Sequence, residues 1–358
     1  MPTPEINQEN KKWLYFLGRN WTILFLLGEA IVFSWMGTGF FSIKNFQNIL
    51  VASTTILLLA AGETFVIITG GIDLSVGFVM GLCCVISAKI MVTLQALGLS
   101  PVTCIVVGAG GTLLLGLLPG LVNGILVAKF RVPPFIATLG IYGVANGFAL
   151  RLSQGFPITF LPPEVGEIGN GFVAYFLPGK GYSFFKRPAG MLPEDMRNLI
   201  GVVPFAFLIA LLFILIFAFI LSRTPFGQHT YAIGGNIDAA RRAGIPVDRH
   251  LIKVYMISSF FASLSGVLAT LIFSIGAPTQ FASSLELFAV AAVVIGGASL
   301  MGGKGSMLGT FLGVLVLSVL EIGFLMSGIL PFYRYVAVGV TLIIAVLIDQ
   351  SFPELVYD

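Results

Sequence analysis

The residues of this chain that could do chemistry lie within or beside long apolar segments. Glu63 interrupts the run "LLLAAGETFVIIT", and Asp73 follows it in "TGGIDLSVG" after two glycines. A charged group at the centre of a bilayer costs at least about 2.5–3.5 kcal/mol, so such groups face protein or water. Glu63 is therefore predicted either to line a pathway or to hydrogen-bond to a neighbouring helix.

The stretch "TGGIDLSVG", residues 69–77, is predicted to be a break between two membrane helices. Gly70 and Gly71 permit backbone angles that other residues resist. Asp73 can then cap the next helix by accepting from the amide of Ser75 or of the residue after it. The same break can border a substrate path, as discontinuous helices do in transporters, and the two interpretations are compatible.

A second glycine pair lies in a sequence similar to that around the first. The sequence "VIITGGIDLSVG" at 66–77 resembles "AVVIGGASLMGG" at 292–303 in its apolar lead, its Gly-Gly and a following Leu. Transporter halves often retain internal repeats of this kind. The match leaves the symmetry of such a repeat open.

The elements that must position these residues are membrane helices. The chain has 358 residues, of which 57% are hydrophobic and 10% charged, whereas a soluble domain has about 25% charged residues. Segments of about 20 apolar residues can cross a bilayer, and they do so as helices. We predict an all-α polytopic protein forming a single transmembrane domain over 1–358. Its ten predicted spans are 21–40, 49–69, 73–94, 102–128, 135–152, 199–222, 251–272, 286–300, 307–328 and 332–349.

Positive charges predict the orientation, because Lys and Arg are enriched in cytoplasmic segments. With 1–20 in the cytoplasm, most Lys and Arg residues lie inside, and the short outer loops hold only Lys44, Lys89 and Arg334. Both termini are then cytoplasmic, and 153–198 is an extracytoplasmic loop. Prolines and aromatics in that loop favour either a packed cap, with a docking surface for an external partner, or a passive ordered connection.

The longest inner loop, 223–253, contains a predicted short helix. In "NIDAARRAG", Asn236 or Asp238 can cap the start and Gly244 can end the helix. Pro246 prevents continuation. A cationic helix at the inner face is suited to a cytoplasmic partner, although a solvated loop obeying the positive-inside rule has the same composition.

The sequence lacks the motifs that are typical of ATP binding, metal binding and catalysis. The segment "GGKGS" at 302–306 fails the phosphate-loop pattern, because Ala298 replaces the first glycine and Gly305 follows the lysine. His229 and His250 are 21 positions apart, and the three cysteines show no metal spacing. We predict no catalytic residue and no metal site, so transport is the expected function.

Three motifs together carry a family resemblance: "TGGIDLSVG", "YAIGGNIDAARRAGIPV" and "AAVVIGGASLMGGKGSMLGT". From about Asn45 to the C-terminus, the chain resembles the membrane permeases of bacterial ABC importers for monosaccharides of the ribose, xylose and galactose type. The resemblance implies the ten-span fold of the vitamin B12 importer class and a location in the bacterial inner membrane. It also implies a second permease chain, a cytoplasmic ATPase that holds ATP and Mg²⁺, and a periplasmic or lipid-anchored sugar-binding protein.

The resemblance also assigns residues. The loop expected to dock on the ATPase comprises Asn236, Asp238, Ala239, Ala240, Arg241, Arg242 and Gly244. The signature turn comprises Gly70, Gly71, Asp73, Leu74, Ser75 and Gly77. Candidates for contacts to sugar hydroxyls are Glu63, Asn123 and Asn146.

The mechanism implied is alternating access, in which ATP-driven closure of the ATPase moves the inner-loop helices. Affinity for the sugar would reside mainly in the binding protein, because few polar groups are available in the spans. The same importer class also carries nucleosides, polyols, furanosyl signals and branched-chain amino acids. A different class, an ion-coupled secondary transporter, would use Glu63 or Asp73 as its proton site, and a passive channel would not need the capped helix.

Overall fold

The computed structural model describes residues 8–37, 39–188, 191, 195, 198–278, 284–330 and 332–351. Within those ranges, side chains are described from Asn20 to Leu347. The two predicted cytoplasmic termini therefore lie partly outside the described residues.

Helices dominate the described part of the chain. Those of the first half are α1 (Gln8–Met36), α2 (Ile43–Ile68), α3 (Val76–Ala96), α4 (Pro101–Leu115), α5 (Leu117–Ala128), α6 (Pro134–Ser153) and α7 (Pro163–Gly169). Those of the second half are α8 (Phe205–Arg223), α9 (Pro225–Gly235), α10 (Ile237–Arg242), α11 (Val247–Phe273), α12 (Leu285–Ile295), α13 (Met307–Met326) and α14 (Tyr333–Ser351).

Seven helical segments in the described ranges are long and apolar enough to cross a membrane: α2, α3, α4 with α5, α6, α8, α11 and α13. Three shorter apolar segments, 20–36, Leu285–Ile295 and 333–347, coincide with the first, eighth and tenth predicted spans. The prediction of a helical polytopic protein is confirmed, and the full count of ten crossings remains a prediction.

The span predicted at 102–128 agrees with the apolar segment Pro101–Ala128, within which α4 ends and α5 begins on either side of Gly116. The Gly116 carbonyl accepts from Ser259 Oγ at 2.7 Å. Two other predicted boundaries were wrong. The span predicted from 199 begins at Phe205, because 200–204 is a strand. The inner loop predicted to extend to 253 ends earlier, because α11 begins at Val247.

The connection predicted at 153–198 contains a helix and strands among its described residues. After α7 come β1 (Phe172–Leu177) and β2 (Gly181–Phe184), and β3 (Ile200–Pro204) completes an antiparallel sheet of order β2-β1-β3. Asn170 Nδ2 donates to the carbonyl of Ile272 at 2.9 Å, which fixes α7 to the last turn of α11. The inner loop lies at the opposite end of α11, where Arg241 pairs with Asp248. The two connections are therefore separated by the length of this helix.

Helices α2 and α11 form the centre of the bundle. Glycines on α5 let α11 approach closely: a Cβ at Gly120 would overlap the Tyr255 carbonyl, and one at Gly124 would lie 2.6 Å from Ile252 Cα. Small residues serve this purpose in membrane helices, where backbone approach replaces the hydrophobic driving force. Helix α11 is thereby held directly against α5.

Candidate translocation site

The break predicted after Thr69 is present at the end of α2. Gly70 has a φ of +81°, and its amide donates to the Ile67 carbonyl at 2.8 Å. Gly71 is required for a different reason, since a Cβ there would lie 2.7 Å from Tyr255 Oη on α11. One glycine supplies the turn and the other supplies the space for packing.

Asp73 joins this break to two helices. Its Oδ1 accepts from the Ser75 amide at 3.0 Å and from Ser75 Oγ at 2.5 Å. Its Oδ2 accepts from Ser258 Oγ of α11 at 2.8 Å. One of the two amides predicted for Asp73 does donate to it, immediately before α3 begins at Val76. The carboxylate thus fixes both the start of α3 and its distance from α11.

Glu63 approaches the same segment from α2. Its Oε1 accepts from the Asp73 amide at 2.9 Å, and the side chain is fully buried. Its Oε2 has no hydrogen-bond partner among the described residues. The segment that contains Asp73 therefore folds back into the protein, alongside the helix that it has just left.

Two further helices complete this arrangement. Asn123 Nδ2 of α5 donates to Ser75 Oγ at 3.0 Å. Thr138 Oγ1 of α6 accepts from the Leu74 amide at 3.2 Å. We call this set the polar cluster: Glu63, Asp73, Ser75, Asn123, Thr138 and Ser258. All six side chains are at most 1% exposed, so the cluster is closed to solvent in this conformation.

The polar cluster brings together four residues that the sequence singled out separately: Glu63, Asp73, Ser75 and Asn123. Thr138 and Ser258 were missed, because Ser and Thr are common in apolar helices, where they hydrogen-bond to their own backbone. Their sequence signal is accordingly weak.

Two of the predicted pathway residues stand apart from the bonds of the cluster. Asn146 lies two turns beyond Thr138 on α6 and is half-buried, and its Oδ1 has no partner in the described part of the chain. Gly77 is buried in the first turn of α3. Among the described residues, the Asn146 side chain makes no hydrogen bond to the cluster, and Gly77 has no side chain that could make one.

The predicted inner-loop helix is confirmed as α10. Asn236 rather than Asp238 is its N-cap, with Oδ1 accepting from the Ala239 amide at 2.8 Å. Gly244, at a φ of +83°, follows its end. Ala240 is buried against Ile233 and other apolar side chains. The exposed face presents Asp238, Ala239, Arg241, Arg242 and Gly244.

Backbone contacts join α10 to the break in α2. Gly234, in the last turn of α9, is so close to α2 that a Cβ would overlap the Ile68 carbonyl. The Gly303 amide donates to that same carbonyl at 2.8 Å. A Cβ at Gly302 would lie 3.0 Å from the Gly70 amide nitrogen. We call this contact the glycine junction: Gly70, Gly234, Gly302 and Gly303. Asn236 follows two residues after Gly234, so α10 is anchored directly to it.

The two glycine motifs end their helices with the same pair of backbone hydrogen bonds, a common glycine ending that also occurs at Gly98 and Gly244, so an internal repeat remains a prediction. The amides of Gly70 and Gly71 donate to the carbonyls of residues 67 and 66, at 2.8 and 3.0 Å. The amides of Gly297 and Ala298 donate to those of residues 294 and 293, at 2.9 and 3.1 Å. Gly297, not Gly296, therefore corresponds to Gly70, one position away from the alignment by sequence.

Comparison with known proteins identifies the family. Residues 45–346 match the family described as the permease component of the branched-chain amino acid transport system. The chain belongs to this permease family. A multi-pass membrane protein with a helix break at its centre is consistent with that membership.

Curated relatives match most of the chain. It is 35% identical over 328 residues to the ribose import permease protein RbsC of Bacillus subtilis, covering 92% of this chain and 91% of that protein. It is 33% identical over 336 residues to the galactose/methyl galactoside import permease protein MglC of Haemophilus influenzae, covering 92% of each. It is 33% identical over 340 residues to the fructose import permease protein FrcC of Rhizobium meliloti, covering 92% and 83%. No solved structure matches the chain.

Proposed function

We propose that this permease forms the translocation path of an ATP-binding-cassette importer for a monosaccharide. The curated relatives named for ribose, galactose and fructose support the solute class. The observation that carries the mechanism is the glycine junction, which joins the exposed cationic helix α10 to the break beside the polar cluster. A movement imposed on α10 is thereby passed to the interior without a flexible linker.

The proposed assembly contains a second permease chain, a cytoplasmic ATPase that binds ATP and Mg²⁺, and a sugar-binding protein outside the inner membrane. The ten apolar segments form the ten-span fold. Both termini lie in the cytoplasm, the N-terminal one being the segment 1–20. The loop 223–253 lies in the cytoplasm as well. The residues expected to contact the ATPase are those of the exposed face of α10. The connection 153–198 would face the binding protein.

The test is reconstitution of the permease with its ATPase and binding protein in proteoliposomes. Uptake of labelled ribose, galactose or fructose is expected only with ATP on the ATPase side, and it should persist after an uncoupler removes the proton gradient. Uptake that continues without the ATPase and stops with the uncoupler would instead establish an ion-coupled transporter.

A second solute class follows from the description of the matched family, which names branched-chain amino acids. Labelled leucine in the same vesicles provides the comparison. ATP-driven leucine uptake, without uptake of any of the three sugars, would assign that class.

A further inference from the structure

A cavity of about 310 Å³ lies at the end of the molecule opposite α10. It is bounded by Ile272 and Phe273, which end α11, and by Leu285, which begins α12. Small-molecule sites measure about 300–1,000 Å³, so this one suits a small solute. Its polar and aromatic lining consists of Thr55, Phe273, Phe288, Glu321, Arg334 and Tyr335.

An ion pair lies in the wall of this cavity. Arg334 Nη1 donates to Glu321 Oε1 at 2.5 Å, joining α14 to α13. The two side chains are 17% and 29% exposed, so both can be reached from outside. The Arg334 Nε is nevertheless buried without a partner among the described residues. An unpaired buried donor is costly, which favours a ligand that supplies an acceptor.

Aromatic rings form the adjacent wall. The Arg334 guanidinium lies 4.1 Å from the centre of the Phe288 ring. The rings of Phe288 and Tyr335 are 5.5 Å apart, centre to centre. The cavity therefore combines flat apolar surface with a carboxylate and a guanidinium.

We propose that this cavity binds the monosaccharide on its way into the permease; the assignment rests on the proposed function. A pyranose or furanose ring places an apolar C–H face on an aromatic ring while its edge hydroxyls reach Glu321 and Arg334. Hydrogen bonds to charged groups are the strong ones, and each fixes a hydroxyl position. The site acts as a selectivity filter that follows the binding protein.

The experiment uses the reconstituted importer with ribose, galactose and fructose supplied one at a time. Glu321→Gln and Arg334→Lys keep the size of the side chains but change their hydrogen bonding. Each is expected to reduce uptake of at least one sugar by about tenfold and to alter the ratios among the three. ATP hydrolysis stimulated by the binding protein should be unchanged. Arg151→Lys, an exposed substitution of the same chemistry outside the cavity, should leave uptake and its ratios unchanged.

A cavity-filling variant tests the same site without altering the ion pair. Ala52 lines the cavity, and Ala52→Phe is expected to block uptake of all three sugars while stimulated ATP hydrolysis continues. A uniform fall in uptake, in ATP hydrolysis and in thermal stability in all three variants would show that the ion pair only joins two helices, and would overturn the proposal.

If the proposed function is wrong, the unaltered protein will show no ATP-driven sugar uptake. If only the site is wrong, the unaltered protein will still import sugar. A binding measurement on the purified permease alone then decides the site. Tyr335→Trp should show a saturable fluorescence change with ribose, galactose or fructose that is lost in the double variant with Ala52→Phe. A response to leucine alone, or to none of these solutes, would refute a sugar site.

Discussion

At the scale of single residues, Asp73 shows how a buried carboxylate can serve a structural purpose at a helix break. It accepts from three donors, two on Ser75 and one on Ser258. Each of these donors would be buried and unsatisfied without it. Its main contribution is therefore to hold α3 and α11 in register at the helix break.

Asp73→Ala is expected to lower the thermal stability of the purified permease substantially, since each donor left unsatisfied costs about 1–3 kcal/mol. Asp73→Asn retains an acceptor for Ser75 and should lose much less. Thermal unfolding in detergent measures both, with Glu167→Ala as an exposed control. Where the Asn variant assembles, its sugar preference should be unaltered. Complete loss of uptake in an Asn variant of normal stability would argue for a proton-carrying Asp73.

The residues whose roles could be predicted from the sequence are those whose hydrogen-bond partners lie nearby in the sequence. Asp73 and Asn236 precede helices and bond to amides within three positions, so their roles depend on neighbouring residues alone. Thr138 and Ser258 meet the break from 64 and 185 positions away. Nothing nearby in sequence distinguishes them from other hydroxyl groups in apolar helices.

At the scale of elements, the glycine junction makes α9, α10 and the two breaks a connected unit. Gly234 and Gly235 are adjacent in the last turn of α9, yet they differ sharply in their surroundings. A Cβ on Gly234 would overlap the Ile68 carbonyl, whereas one on Gly235 would meet nothing within 4 Å. The pair provides a matched substitution.

Gly234→Ala is expected to separate ATP hydrolysis from uptake, because the added methyl displaces α9 from the end of α2 at a cost of about 1–3 kcal/mol. Gly235→Ala changes helix propensity equally and should behave like the unaltered protein. The ratio of sugar imported to ATP hydrolysed measures the difference. Equal ratios in the two variants would remove the junction from the coupling route.

The exposed charges of α10 allow a second test of the same element. Arg241 is paired with Asp248, at 3.1 Å, whereas Arg242 is exposed and has no ion-pair partner in the described residues. Arg242→Glu should therefore disturb the proposed contact with the ATPase with little effect on the fold. Uptake per ATP hydrolysed is expected to fall by about tenfold, from charge reversal at an interface. Arg249→Glu, exposed at the start of α11, is the control; an equal loss there would indicate a general charge effect.

Apolar run length predicted the helices well but not where they are interrupted. The strand at 200–204 runs directly into the apolar helix α8, and its pairing with β1 separates it from that helix. At Gly116, between α4 and α5, Ser263 Oγ of α11 occupies the place that a Cβ would take. Both are tertiary effects that composition does not record.

At the scale of the whole molecule, the two ends have distinct characters. One end carries the sheet of β1–β3, α7 and the proposed sugar cavity, and the other carries α10 and the glycine junction. A solute entering at the first end would move toward the polar cluster near the second. This polarity is what import driven from the cytoplasm requires.

The membrane orientation can be tested with single cysteines. The native cysteines, Cys83, Cys84 and Cys104, are buried, so they should contribute little background to labelling. Tyr182, in β2, is 77% exposed, and Tyr182→Cys is expected to react with an impermeant maleimide in intact spheroplasts. Arg242→Cys should react only after the membrane is opened. Labelling of both in intact spheroplasts, or the reverse pattern, would contradict the proposed topology and place α10 where no cytoplasmic ATPase could reach it.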